Sequence, residues 1–323
     1  MASPNLTLGL PRMSNRPLVR VLPPVPPLQR MADSLVSDTA PETPAFTLMT
    51  YNIWLGGAGR MDAITGIVRQ VNPDLLGIQE ADDEDAIERL ADRLGMQHVH
   101  ATANTIHHVA FLSRFPIERM VNHARPIMRK TMLEAHVLLP GGETLRVYCA
   151  HLNAFASSGG ERRRVREMEA VLSAIAPHTA EPHLLFGDFN ALAPGDSIVL
   201  ERFTAHIANR VTRAEVGRVR RRRPLTFGRL LDGGISRGLL VPETLLPRLL
   251  VRHVLDAGYS DCYRGMHPDS PGFTFPAPDP ALRLDYIFAP PSMRARLLAC
   301  EVVDLPQTAI ASDHRPLVAR FSL

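Results

Sequence analysis

Asn52, Glu80, His151, Asn153, Asp188, Asn190, Asp285, Asp313 and His314 each stand at one end of an apolar run. Any one of them could simply terminate a strand, because Asn and Asp bond readily to their own backbone. Together, carboxylates, imidazoles and amides gathered at strand ends supply what metal-assisted phosphoryl chemistry requires. Hard Mg²⁺ takes oxygen ligands and retains waters, so one or two carboxylates suffice to hold it. Such an ion neutralises phosphate charge. An Asp held by an Asn can orient or deprotonate an attacking water. A histidine paired to an aspartate can stabilise charge on the phosphoryl oxygens. The cysteines, Cys149, Cys262 and Cys300, are widely spaced. They form neither a zinc pattern nor a disulfide framework, which favours Mg²⁺, with Mn²⁺ as the alternative.

These residues must be carried by regular elements. Strand patterns cover FTLMTYNIW, LLGIQ, VAFLSRFPI, TMLEAHVLL, LRVYCAHL, HLLFGDFN, RLDYIFAPP and RPLVARFSL. Pro140-Gly141-Gly142 marks a hairpin between two of them. Helix patterns cover MDAITGIVRQV, DDEDAIERLADRLG and ERRRVREMEAVLSAIAPH. In the second of these, Asp82, Asp83, Glu84 and Asp85 suit a helix N-terminus and Gly95 its stop. They read as capping acids rather than metal ligands. Interleaved strands and helices with hairpins among them predict an α/β sandwich of mixed sheets.

The motifs TYNIW, GIQE, HLNA, GDFNA, RLDYIF and SDHRPLVA occur in this order from residue 46 to the C-terminus. In that order they resemble the endonuclease/exonuclease/phosphatase family. The resemblance implies a DNase I-like fold: a four-layered α/β sandwich, with two mixed β-sheets face to face and helices outside. It implies a metal group of Asn52, Glu80 and Asp313, with Glu80 the direct ligand. Asp188 would orient or deprotonate the water beside Asn190, and His151 would contact the scissile phosphate. His314, fixed by Asp285, would stabilise the transition state. Asn153 and Arg283 are expected at the substrate; Arg283 lies two residues before Asp285, the spacing that shares a strand face.

The activity implied is metal-dependent hydrolysis of phosphoesters, first as a phosphodiesterase or nuclease. A phosphatase or phospholipase-type hydrolase is the alternative, and a binding module that has lost catalysis is a third reading. Abasic-site endonucleases of the family carry Tyr-x-Pro-Asn where this chain has Tyr148 to Asn153, with His151 in the tyrosine's role. His151 instead resembles the DNase I and neutral sphingomyelinase branches. DNase I pairs that histidine with a Glu on an earlier strand; here IHHVAFLSR offers His107 or His108 and no Glu. Both read as structural histidines, as do the others outside the motifs.

The chain has 323 residues, 45% hydrophobic and 21% charged, with a formal charge of +3. That composition suits a globular protein, and the charge is compatible with an anionic partner without requiring one. Lys130 is the only lysine. Codon bias would equally produce so arginine-rich a chain. Residues 1–45 are proline-rich and are expected to form an arm ahead of a domain over 46–323. Residues 195–255 read as a surface insertion. Its basic run, Arg218, Arg220, Arg221, Arg222 and Arg223, could contact a phosphate backbone or anionic surface. No apolar run is long enough to span a bilayer. No transport signal is evident, which makes the cytoplasm the default expectation.

Overall fold

The computed structural model describes residues 44–154, 158–206, 208 and 248–323. Most of the proline-rich arm, and the basic run at 218–223, lie outside the described residues. Within Thr43–Leu323, which forms one compact unit, two six-stranded mixed sheets face each other. The first contains β1 (Ala45–Asn52), β2 (Leu75–Gln79), β3 (Gln97–Ala101), β4 (Val109–Ser113), β11 (Leu297–Val302) and β12 (Leu317–Ser322). Its order is β11-β12-β1-β2-β4-β3. The second contains β5 (Ile117–Asn122), β6 (Met132–Leu138), β7 (Thr144–His151), β8 (His183–Asp188), β9 (Ser260–Asp261) and β10 (Asp285–Ala289). Its order is β5-β6-β7-β8-β10-β9.

Strand alternation divides the apolar residues among three cores. Phe46, Leu48, Leu75, Phe111, Val147, Leu184, Phe186 and Ile287 pack between the sheets. The opposite faces are covered by helices. Met49, Tyr51, Leu76 and Ile78 meet α1 (Met61–Val71) and α2 (Glu84–Leu94) through Ile64, Ile67, Ile87 and Leu90. Tyr148, Leu185, Tyr286 and Phe288 meet α3 (Ser158–Ile175) and α4 (Leu249–Asp256) through Met168, Val171, Leu250 and Val254. Helix, sheet, sheet, helix gives the four layers of a DNase I-like fold. Each sheet is buried on both faces, which requires long apolar strands rather than strict alternation.

The caps correct one sequence expectation. Asp83 alone caps α2 through its side chain, accepting from Ala86 N at 3.0 Å. Gly95 ends that helix in the left-handed region, as its type predicts. Asp82 turns away from the helix start: its carboxylate accepts from His108 N at 2.9 Å and meets His107 Nδ1 at 3.2 Å.

Candidate active site

The inter-sheet faces position the polar residues. On β1, Phe46 and Leu48 lie in the inter-sheet core, so the same parity brings Thr50 and then Asn52 to that face. On β8, Leu184 and Phe186 do the same for Asp188; on β7, Val147 and Cys149 do so for His151. Register then sets the row. His151 pairs with Asp188 across β7 and β8, and Asp188 pairs with Asp285 across β8 and β10. Three motif residues from three strands thus sit side by side.

Two glycines make this arrangement possible. Gly187, at φ +137, faces Ala150, and a Cβ there would lie 1.9 Å from the Ala150 carbonyl oxygen. Gly77 leaves room for the Phe186 ring and Cys149 Sγ, which a Cβ would meet at 2.3 and 2.7 Å. Beneath the site, Thr50 Oγ1 donates to Gln79 Oε1 at 3.2 Å and Gln79 Nε2 donates to Cys149 Sγ at 3.1 Å. That buried polar layer separates the site from the apolar core.

Asp188 is the hub. Its Oδ2 accepts from Asn52 Nδ2 at 2.9 Å and lies 3.3 Å from His151 Nε2 and 3.8 Å from His314 Nε2. Its Oδ1 accepts from Asn190 N at 2.9 Å. Burial alone would raise this carboxyl, but His314, His151 and Lys130 hold it well below the usual carboxylate range. Asn190 sits at φ +49, a conformation asparagine tolerates, and its Nδ2 donates to Leu152 O at 3.1 Å. His314 Nδ1 donates to Asp285 Oδ2 at 2.8 Å. Burial opposes the charged ring, but Asp285 and Asp188 outweigh it and push His314 up to about 10. Burial likewise raises Asp285. The pair therefore keeps its proton through neutral pH, and His314 Nε2 presents a donor toward Asp188.

Lys130 was not among the residues the motifs selected. It is buried, and its Nζ donates to His151 Nε2 in a short contact. That contact assigns the imidazole proton to Nδ1, which has no protein partner among the described residues. Burial and the neighbouring Lys130 charge lower His151 to about 4, so the ring is neutral at pH 7. Burial lowers Lys130 too, against the pull of Asp188 and Glu80. Glu167, fully buried, braces both flanks of this pair: it accepts from Arg129 N and Asn153 N, each at 3.0 Å. The one available signal was compositional, a solitary lysine in a chain that otherwise uses arginine.

A second group lies at the end of β2. Glu80 adopts φ +59, and its Oε2 accepts from Leu55 N at 2.7 Å. Asn52 Nδ2 reaches its Oε1 at 3.4 Å, linking this group to Asp188. Burial would raise the Glu80 carboxyl; His151, the Leu55 N–H, Lys130 and His107 hold it below the usual range. His107 Nδ1 lies 3.5 Å from Glu80 Oε2 as well as 3.2 Å from Asp82. Sequence reading placed both His107 and Asp82 outside the site; the fold puts them in it, because β4 pairs antiparallel with β2. Among the described residues, Glu80–Asp82–His107 and Asp188–Asp285–His314 each bring three potential ligand atoms within 4.8 Å of one another. In the second group the imidazole is already committed to hydrogen bonds and carries charge, so the first suits a cation better. Asp313 is buried beside His314, and its charge acts on Arg60, Tyr51 and His314.

Arg283 departs from its expected role. It is fully buried, donating to Asp196 at 3.0 and 3.1 Å and to Asp261 Oδ1 at 2.9 Å, with its guanidinium over the Tyr286 ring. The strand begins only at Asp285, so two-residue parity does not extend back to position 283. We therefore assign it structural anchoring in place of the expected phosphate contact. Asn153 is buried, and its Nδ2 has no protein partner among the described residues.

The model of the endonuclease/exonuclease/phosphatase family matches residues 49–314, which include strands of both sheets and every site residue named above. The chain belongs to this family. Members of the endonuclease/exonuclease/phosphatase family are hydrolytic enzymes acting on phosphoesters, and this chain is an enzyme of that class. Solved structures share the fold. An AP endonuclease from Archaeoglobus fulgidus superposes with a TM-score of 0.61 at 17% identity, covering 86% of this chain and 100% of that chain. The 3'-5' exonuclease NExo from Neisseria meningitidis gives 0.60 at 20%, covering 86% and 100%. An endonuclease/exonuclease/phosphatase from Beutenbergia cavernae gives 0.61 at 18%, covering 87% and 72%. No curated protein matches the chain.

Proposed function

We propose that the chain is a phosphodiesterase dependent on a divalent ion, Mg²⁺ or Mn²⁺, that cleaves nucleic acid by in-line attack of water on phosphorus. The observation that carries this reading is the Asp188 carboxylate, held ionised by the Asn52 amide donor, the charged His314 ring and the nearby Lys130 charge, with the neutral His151 ring beside it. A carboxylate held so far below neutral is a weak base, so Asp188 first orients the water and takes up its proton only as the forming P–O bond makes that water acidic. His314, cationic through neutral pH, presents Nε2–H to the phosphoryl oxygens as negative charge grows on them. His151 Nδ1–H and Asn153 Nδ2 are buried donors without protein partners among the described residues, and phosphate oxygens would satisfy them. Lys130 fixes the His151 tautomer and adds positive charge.

The donor set at Glu80, two carboxylates and an imidazole beside the Asn52 amide, fits a divalent cation. When bound, such an ion supplies Lewis-acid polarisation of the phosphate. Asp313 acts on Arg60, as Glu80 does, and its proposed role is that of a further carboxylate beside the metal. Nucleic acid as substrate draws support from the family, from the AP endonuclease and exonuclease among the structural neighbours, and from a Neisseria 3' phosphatase bound to product DNA hairpin. If the five arginines at 218–223 grip the backbone, changing them to Ser raises KM and flattens its salt dependence.

The test is hydrolysis of plasmid DNA, RNA, sphingomyelin, a phosphoinositide and bis-p-nitrophenyl phosphate, with Mg²⁺ or EDTA. Nucleic acid should turn over best, and Asp188→Asn should cut that turnover by about 10²-fold or more while leaving the circular dichroism spectrum intact. Preferential hydrolysis of a lipid would overturn the substrate assignment. Equal activity of Asp188→Asn would overturn the site.

A further inference from the structure

We infer that the metal site of this chain is built by Glu80, Asp82 and His107 together, and that its imidazole makes it select first-row transition ions, Mn²⁺ among them, over Mg²⁺. The inference rests on the phosphodiesterase reading for its location and adds two ligands from this chain's own residues. His107 Nδ1 faces Asp82 Oδ2 at 3.2 Å and Glu80 Oε2 at 3.5 Å. Around one ion with bonds near 2.1 Å, neighbouring ligand atoms stand about 3.0 Å apart in an octahedron and about 3.4 Å in a tetrahedron. Both separations from Nδ1 are therefore those of neighbouring ligands on one ion, all three atoms lie within 4.8 Å of one another, and an ion binding there displaces the proton on Nδ1.

Each ligand is also held in place by the fold. Leu55 N donates to Glu80 Oε2 at 2.7 Å and Asn52 Nδ2 to Oε1 at 3.4 Å. His108 N donates to Asp82 Oδ1 at 2.9 Å, leaving Oδ2 turned to His107. His107 itself enters from the residues just before β4, whose pairing with β2 puts Val109 opposite Gln79. The His107 ring centre is 6.0 Å from that of His151, which places the ion beside the row where the phosphate is expected. Side chains of the three residues are between one-seventh and one-quarter exposed, so the face is open to an entering ion. All-oxygen sites suit Mg²⁺, whereas adding an imidazole raises affinity along the transition series. Without an ion, His107 would act only as a hydrogen-bonded partner of the two acids, and the experiment separates these roles.

Mn²⁺ is the probe, titrated into the full chain and followed by loss of its free-ion paramagnetic resonance, with Mg²⁺ as competitor. Electron spin-echo modulation of the bound ion should show coupling to ¹⁴N in the unmodified protein. His107→Gln should remove that coupling and weaken Mn²⁺ by about tenfold or more. It should change Mg²⁺ affinity far less, and Asp82→Asn should weaken both ions. Bound Mn²⁺ with no ¹⁴N coupling, or coupling that survives in His107→Gln, overturns the inference. These readings need no turnover. Failure of the phosphodiesterase reading would appear separately, as nitrogen-coordinated Mn²⁺ bound to a protein that hydrolyses none of the phosphoester panel.

Discussion

At the scale of single residues, the site is a set of opposed protonation states. Asp188 is ionised, His151 neutral and His314 charged, and each state follows from its neighbours. Replacing Asp188 by Asn keeps the shape but removes the negative centre. A loss in kcat of about 10²–10⁴ is expected, measured by steady-state hydrolysis at fixed metal. His314 gives the pH dependence. Its folded value near 10 lies above the ordinary 6.5, so its stabilising contribution is complete below about 6.5 and fades as pH rises through about 10. The kcat/KM profile should share that alkaline limb. Asp285→Asn removes the carboxylate that raises the ring, so the limb should move down toward neutral pH; an unmoved limb would show that another group titrates there. His151 runs the other way: lowered to about 4, it costs stability as pH falls from about 6.5. The motif residues could be picked out in the sequence because each stands at one end of an apolar run. Lys130 and His107 could not, since neither belongs to a motif and only the fold brings them to His151 and Glu80.

At the scale of elements, the eight interior strands were legible and the four edge strands were not. Those edges are β3 and β11 of one sheet, β5 and β9 of the other. Interior strands are covered on both faces and so carry dense apolar runs. Edge strands are partly exposed: β3 reads QHVHA, β5 IERMVN, and β9 is two residues long. Phe115-Pro116 also interrupts what reads as one strand over 109–117 and separates β4 from β5. Two predictions belong here. Gly187→Ala puts a methyl group into the Ala150 carbonyl at a left-handed φ. It should cost about 3 kcal/mol or more in urea unfolding, with kcat falling as Asp188 shifts. Glu134 on β6 accepts from His123 Nε2 and His136 Nε2, each at 2.7 Å, and from Arg146 of β7 at 3.0 Å. Burial would raise its carboxyl, but His123 and His136 lower it to about 2. Its contribution is therefore present above about 4.5 and is lost as pH falls through about 2. Glu134→Gln should flatten the acid limb of stability while leaving turnover at neutral pH unchanged.

At the scale of the whole molecule, the site is a polar seam between the sheets. Asn52 from the first sheet donates to Asp188 of the second, and His314, ahead of β12, donates to Asp285 of β10. The apolar core below is continuous across both sheets, and polar groups occupy one end of it. A cation held at Glu80 lies against this seam through the Asn52 amide, which reaches both Glu80 and Asp188. Binding to the folded state alone raises stability by about 2.7 kcal/mol at a hundred times Kd. Melting followed by calorimetry should therefore shift upward with added Mg²⁺ or Mn²⁺ and return with EDTA. The same measurement on Glu80→Gln should lose the shift. On Asp188→Asn the shift should persist, because the Glu80 group keeps its ligands when the hub is neutralised. A shift lost in Asp188→Asn and kept in Glu80→Gln would transfer the cation to the Asp188–Asp285–His314 group, and His314 would then have to give up its proton on binding.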